Sequence, residues 1–189
     1  MRMSYFGDSY DFVKQSLLRC LRDLGPWSSL PMLTEEATRS ELSSFAAFLG
    51  TDLVSSTILA PGADRASYFA SACKCGHLFV DPNTGIRVEE RGGRTSNYIF
   101  ASELVNLAGQ RPRHLTMVFD QALSRGAVPI GLERKLKHLA AQKIFGFAYV
   151  SHACFMIVGK DRVLVNRARR TLIKKCRLPE HRLLTVTSA

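Results

Sequence analysis

The sequence predicts an α/β three-layer sandwich, with helices on both faces of a mostly parallel sheet and an antiparallel strand pair near the C-terminus. Three observations carry this. Leu78–Val80 and His114–Phe119 are short apolar runs without alternation, each closed by an acid, Asp81 and Asp120. Such runs suit strands buried on both faces. Segments with helical apolar spacing separate the strand-like runs, as a parallel sheet requires. Finally, Ile144–Val150 and Ala153–Val158 are joined only by Ser151-His152. Strands connected that closely pair antiparallel.

In chain order, Asp8 is a helix N-cap, with Asp11 favouring the positive end of the dipole. Val13, Leu17, Cys20, Leu21 and Leu24 form the apolar stripe of that helix, and Gly25-Pro26 ends it. Trp27–Leu33 reads as a first strand, weakened by Pro31. Thr34-Glu35-Glu36-Ala37 resembles a helix start, continued by Leu42, Phe45, Ala46 and Leu49 up to Gly50. Asp52–Leu59 is strand-like, and Asp64 opens a helix to about Ala72. After Leu78–Val80, Asp81-Pro82-Asn83-Thr84-Gly85 stops the strand, because Pro82 cannot donate to a ladder and Gly85 permits a positive φ.

Arg87–Arg94 reads as an exposed loop, and Asn97–Phe100 as the start of a helix carrying Glu103, Leu104 and Leu107. Leu132, Leu136 and Leu139 mark another helix. The last helix bears Arg162, Arg167, Arg169, Arg170, Lys174, Lys175 and Arg177, over an apolar face of Val163, Leu164, Ala168, Leu172 and Ile173. Leu183–Ala189 is an edge strand or a tail. The chain holds no repeat or linker and reads as one domain, residues 1–189.

Composition narrows the partners. The 189 residues carry a formal net charge of +10. That excess points to a polyanion, nucleic acid before an anionic membrane surface. No stretch reaches the roughly 18–20 apolar residues of a membrane span, and residues 1–8 lack the apolar core of a signal peptide. Five cysteines at scattered positions are not a disulfide framework. Cys20 and Cys154 read as core residues, and the chain as cytoplasmic and reduced. Cys73-Lys74-Cys75 with His77 is half a zinc pattern without its second half, so no metal is expected there.

The candidate site gathers at strand ends. In open α/β sheets ligands sit beyond the carboxyl ends of the strands, where Asp81 and Asp120 fall. Asp81 could equally cap a turn, and Asp11 with Lys14 could be a surface ion pair. His152 reads as a turn residue before a general base, and Tyr98 and Phe100 as core before base-stacking groups. Arg125, Arg167, Arg169, Arg170, Lys174 and Lys175 are the candidate phosphate contacts.

The order of elements and two motifs resemble the Rossmann-like class I methyltransferases. Within them the chain is most similar to a bacterial ribosomal RNA adenine-N6 methyltransferase family, and also to the three-Cys-motif partner proteins. Gly7-Asp8-Ser9-Tyr10-Asp11-Phe12-Val13-Lys14 has the Gly, Asp and Lys spacing of that RNA family's N-terminal helix. The resemblance implies that Lys14, with Asp8 and Asp11, lies by S-adenosylmethionine. Asp81-Pro82-Asn83-Thr84 stands where amino-methyltransferases carry Asp-Pro-Pro-Tyr. It implies that Asp81, Pro82 and Asn83 hold the target amino group, while Thr84 cannot stack on a flipped base. The family's glycine-rich cofactor loop is missing: Leu33-Thr34-Glu35-Glu36-Ala37 holds no glycine.

Three functions follow as expectations. The first is S-adenosylmethionine-dependent methylation of a base amino group. The second is a non-catalytic module binding nucleic acid or a protein partner. The third is a Mg²⁺-dependent phosphodiester hydrolase using Asp8, Asp11, Asp81 and Asp120, with Lys14 or Arg125 facing the phosphate.

Overall fold

The computed structural model describes residues 1–122 and 128–186. Its main sheet has seven strands. They are β1 (Trp27–Pro31), β2 (Asp52–Leu53), β3 (His77–Asp81), β6 (Leu115–Phe119), β7 (Phe145–Tyr149), β8 (Phe155–Gly159) and β9 (Leu183–Thr185). A separate parallel pair is formed by β4 (Gly85–Arg87) and β5 (Tyr98–Phe100). The helices are α1 (Ser9–Leu21), α2 (Arg39–Leu49), α3 (Arg65–Ala70), α4 (Ala101–Gln110), α5 (Val128–Ala141) and α6 (Arg162–Lys175). The architecture is a Rossmann-like three-layer α/β fold.

The strand order is β2-β1-β3-β6-β8-β7-β9. β3 pairs in parallel with β1 and β6, as its apolar run predicts, and every residue of β3 and β6 is buried. The antiparallel pair forms as expected at one side of the sheet, with β8 between β6 and β7 and β9 beyond β7. Among the parallel strands the order is the flavodoxin-like one, which reverses between β1 and β3. That reversal is the topological switch point, where ligands of doubly wound sheets bind. Asp81 is the last residue of β3 and pairs in register with Pro31, the last of β1.

Two cores flank the sheet. One face packs Leu30, Leu78, Val80, Val118 and Met156 under α3, α4 and α5. The other packs Phe79, Met117, Phe119 and Phe155 under α1, α2 and α6. In α6 the buried face is Val165, Ala168 and Leu172, whereas Val163, expected inside, is 73% exposed.

Several local expectations are corrected. Helix α2 begins at Arg39, with the capping box on Thr38 and Glu41 rather than at Thr34. Thr34 is tied elsewhere: its N–H donates to the Met1 carbonyl, and Leu33 bridges Ile58, so the chain stays extended. Asp52–Leu59 shrinks to two strand residues plus that bridge. Asn97–Phe100 does not start a helix; Tyr98–Phe100 is β5, paired to β4. Cys20 is not a free core thiol but is disulfide-bonded to Cys176, tying α1 to the end of α6 across 6.1 Å between Cα atoms. Leu183–Thr185 is an edge strand on β7.

At the opposite end of the sheet, His77 is committed to holding the fold. Its Nε2 donates to the Leu24 carbonyl at 3.0 Å, and its Nδ1 accepts the Leu115 N–H at 2.9 Å. Both nitrogens are occupied, so the ring is neutral and bound to structure. Burial holds its pKa below the ordinary 6.5, aided by His114 and Arg111. The unfolded chain then binds the proton more readily than the folded one. The His77 contribution to stability is therefore complete above pH 6.5 and lost as pH falls through the lower folded value. Urea unfolding between pH 8 and 5 should show this acid slope, and His77→Gln should flatten it. An equal slope in the variant would assign the loss to other groups.

Candidate functional site

Helix α1 is positioned by its own cap. Asp8 Oδ1 accepts the N–H groups of Tyr10 and Asp11 at 2.8 and 3.1 Å, which caps the first turn, and Asp8 also lines the cleft described below. The cap sets Asp11 and Lys14 one turn apart on the helix face turned to the sheet. There Lys14 Nζ lies 2.7 Å from Asp11 Oδ1 and 2.8 Å from Asp81 Oδ2. Asp11 also accepts the Gly7 N–H at 2.8 Å. All three side chains are buried: Asp11 is 2%, Lys14 5% and Asp81 1% exposed. The surface i,i+3 pair that spacing alone suggests is thus the interior half of a carboxylate–ammonium–carboxylate cluster.

Burial alone would lower the Lys14 pKa, but Asp81 and Asp11 outweigh it and hold the ammonium above its ordinary 10.5. Burial pushes Asp81 above the usual carboxylate range, and Lys14 opposes that. Asp81 has one oxygen on Lys14; among the described residues its Oδ1 accepts no hydrogen bond.

The cluster floors a cleft of about 250 Å³, lined by Tyr5, Tyr10, Asn83, Phe119, Gln121 and Pro82 among others. Tyr10 and Phe119 meet edge to face at 5.6 Å, and the Lys14 ammonium sits 4.8 Å from the Phe119 ring centre. The His152 ring lies 5.5 Å from Tyr10. His152 itself is exposed, and its carbonyl accepts the Gln121 amide at 2.7 Å. The aromatic wall was not legible in the sequence. Tyr10 falls inside a helix-start motif and Phe119 inside a core strand; only their places at the same sheet end unite them.

Asp120 does not join the cluster. Its carboxylate takes Lys135 Nζ at 2.7 and 2.9 Å and the N–H groups of Ile86 and Ala122 at 3.0 and 3.1 Å. It is 0% exposed. Its visible work is to pin β4 and α5 to the end of β6, a role the sequence did not disclose because Lys135 reads as one base of an amphipathic helix. Arg125 lies outside the described residues. On α6, Arg169 pairs with Glu180 at 2.6 Å and Lys175 with Asp23, while Arg167, Arg170 and Lys174 are exposed.

Tyr98 is half-buried under the Arg87 guanidinium, 3.6 Å from its ring centre, and Phe100 packs under Arg65.

Neither implied group fits the residues present. The segment after β1, Met32-Leu33-Thr34-Glu35-Glu36-Ala37, holds no glycine, and the N–H groups of Met32, Leu33 and Thr34 are taken by the carbonyls of Asp81, Pro31 and Met1. Met1 covers it: the Met1 amine donates to the Met32 carbonyl, and the Met1 carbonyl accepts from Thr34. A divalent ion would need the place that Lys14 Nζ holds between Asp11 and Asp81. Asp120 is committed to Lys135, and the described residues contain no group of three or more His, Cys, Asp or Glu able to hold a metal. No described helix is long and apolar enough to cross a membrane.

No family model, curated protein or solved structure matches the chain.

Proposed function

We propose that this chain is a nucleic-acid-binding protein of methyltransferase-like fold, which seats an unpaired base in the cleft over Asp11, Lys14 and Asp81. The observation that carries this is a buried acceptor beneath an aromatic wall at the switch point. Asp81 Oδ1 is free to accept from the exocyclic amino group of adenine, cytosine or guanine. Phe119 and Tyr10 supply ring surface, and stacking of a base on such a wall is worth about 1–3 kcal/mol. Asn83 and Gln121 flank the opening with amide groups that can meet a base edge. Lys14 keeps the two carboxylates from repelling each other, so the acceptor is held in place before the ligand arrives. The net charge of +10 supplies the long-range attraction.

A second reading is methylation of that amino group, favoured by Asp81-Pro82-Asn83 standing at the cleft. The covered segment after β1, which does not fit the cofactor, places it behind binding alone.

The test is binding of a short adenine-containing single strand and of the same strand with one abasic position. Wild type should prefer the intact strand about tenfold, and Asp81→Asn should lose most of that preference. Equal affinity for both strands would sink the proposal. Thermal shift with S-adenosylhomocysteine runs beside it. A raised midpoint would put methyl transfer ahead of binding, because a ligand that binds only the folded state stabilises it by mass action.

A further inference from the structure

A second cleft, formed by β4, β5 and α5, adjoins the first, and Gln121 lines both. We propose that this second cleft holds the phosphodiester backbone of a single-stranded nucleic acid whose base enters the first. The inference rests on the base-binding reading for its substrate and on a separate set of residues for its chemistry.

The second cleft has a volume of about 590 Å³ and is lined by Arg87, Arg91, Arg134 and Lys135 against one carboxylate, Glu89. Lys135 is balanced by Asp120 and Arg91 by Glu89, at 2.7 and 3.3 Å. That leaves Arg87 and Arg134 as cations without an acidic partner among the described residues. Arg87 is also preorganised. Its guanidinium carbon sits 3.6 Å from the centre of the Tyr98 ring, and one terminal nitrogen donates to the carbonyls of Arg91 and Gly93 at 3.4 and 3.2 Å. Among the described residues its other side-chain N–H groups have no acceptor. A planar guanidinium fixed in this way presents a fork suited to phosphate oxygens. Arg134 stands exposed on α5 as a second charge.

Gln121 fixes the joint between the two clefts. Its N–H donates to the Thr84 carbonyl at 2.8 Å and its side chain to His152, so the wall cannot swing away. A strand whose base stacks by Phe119 passes this wall and has its neighbouring phosphates over Arg87 and Arg134. The exposed bases of α6 sit on the other layer of the sandwich, with α1, and define a competing path.

Fluorescence anisotropy of a labelled single-stranded oligonucleotide, across 50 to 300 mM salt, decides this. Arg87→Gln with Arg134→Gln should lower the slope of log K against log salt by about 1.4, about 0.7 per lost contact on a single strand. Affinity at low salt should fall roughly tenfold, and the preference for intact over abasic strand should persist. Arg134→Gln alone, on an exposed helix face, should lower the slope by about half as much; it guards against misfolding of the double variant. An unchanged slope in both variants overturns the inference, whatever the abasic comparison gives. A larger slope loss from Arg170→Gln with Lys174→Gln also overturns it, by placing the backbone on α6. A lowered slope with equal binding of intact and abasic strands keeps the phosphate cleft and rejects the base cleft. No binding at low salt rejects both.

Discussion

Replacing Lys14 by Met should cost about 3–5 kcal/mol of folding stability, the range for breaking a buried ion pair from one side. The variant leaves Asp11 and Asp81 facing each other in the interior with no cation between them. Exchanging all three residues together, as Lys14→Met, Asp11→Asn and Asp81→Asn, should restore most of the loss. It removes the charges along with their partner. The pH dependence separates this mechanism from simple misfit. In wild type the folded Lys14 pKa lies above 10.5, so its contribution is complete below that pH and fades as pH rises through the folded value. The single variant should lack this alkaline limb. Asp81, which burial already pushes above the usual carboxylate range, should instead hold a proton more tightly folded than unfolded once Lys14 no longer opposes that, so stability should rise as pH falls toward 5. Urea unfolding at pH 5, 7 and 11 reads all of these. A loss below 1 kcal/mol at pH 7 would mean that water, not Lys14, balances the carboxylates.

The same cluster shows how much of the site was legible beforehand. Asp81 at a strand end and Lys14 one turn after Asp11 could be read from spacing, and so could the strand pairing that puts Asp81 at the sheet's carboxyl edge. Burial could not. By sequence Asp81 is a strand-end acid that could equally cap a turn. At 1% exposure and 2.8 Å from Lys14 it is part of the interior, and Asp81→Asn is a cleaner probe than Asp81→Ala. The core strands announced themselves because Leu78–Val80 in β3 and Leu115, Met117, Val118 and Phe119 in β6 are apolar without alternation, whereas Tyr98–Phe100 did not. Three residues hold too little periodicity to separate a strand from a helix start, and their pairing with β4 is set by tertiary contacts. The Cys20–Cys176 bond was hidden for a related reason. A separation of 156 residues carries no local signal, and Cys20 fits the apolar stripe equally well as a thiol.

Among the described residues Gly85→Ala should be the most damaging glycine-to-alanine change, at about 3 kcal/mol, combining about 1–2 kcal/mol of backbone strain with the cost of overpacking. Gly85 has φ +141, where L side chains are rarely found. A Cβ there would also strike the Asp120 carboxylate and come within 2.9 Å of both the Asp120 Cα and the Gln121 nitrogen. Two of those atoms are backbone at the end of β6 and cannot swing aside. Accommodation would have to move β4, which breaks the Ile86 N–H bond to Asp120 and unseats the carboxylate that holds Lys135. Because Gln121 lines both clefts, the proposed binding of single strands should weaken along with stability. Asp120→Ala added to Gly85→Ala should not rescue the protein, since the backbone collision remains. Gly62→Ala supplies the comparison. Gly62 has φ +80, but a Cβ added there would meet no atom within 4 Å, so only the strain applies and the loss should stay near ~1 kcal/mol. Chemical unfolding of the three variants beside wild type checks the ranking. Equal losses at positions 62 and 85 would show that the junction of β4 with β6 is loose enough to absorb a methyl group, and that Gln121 is not held as rigidly as the paired clefts require.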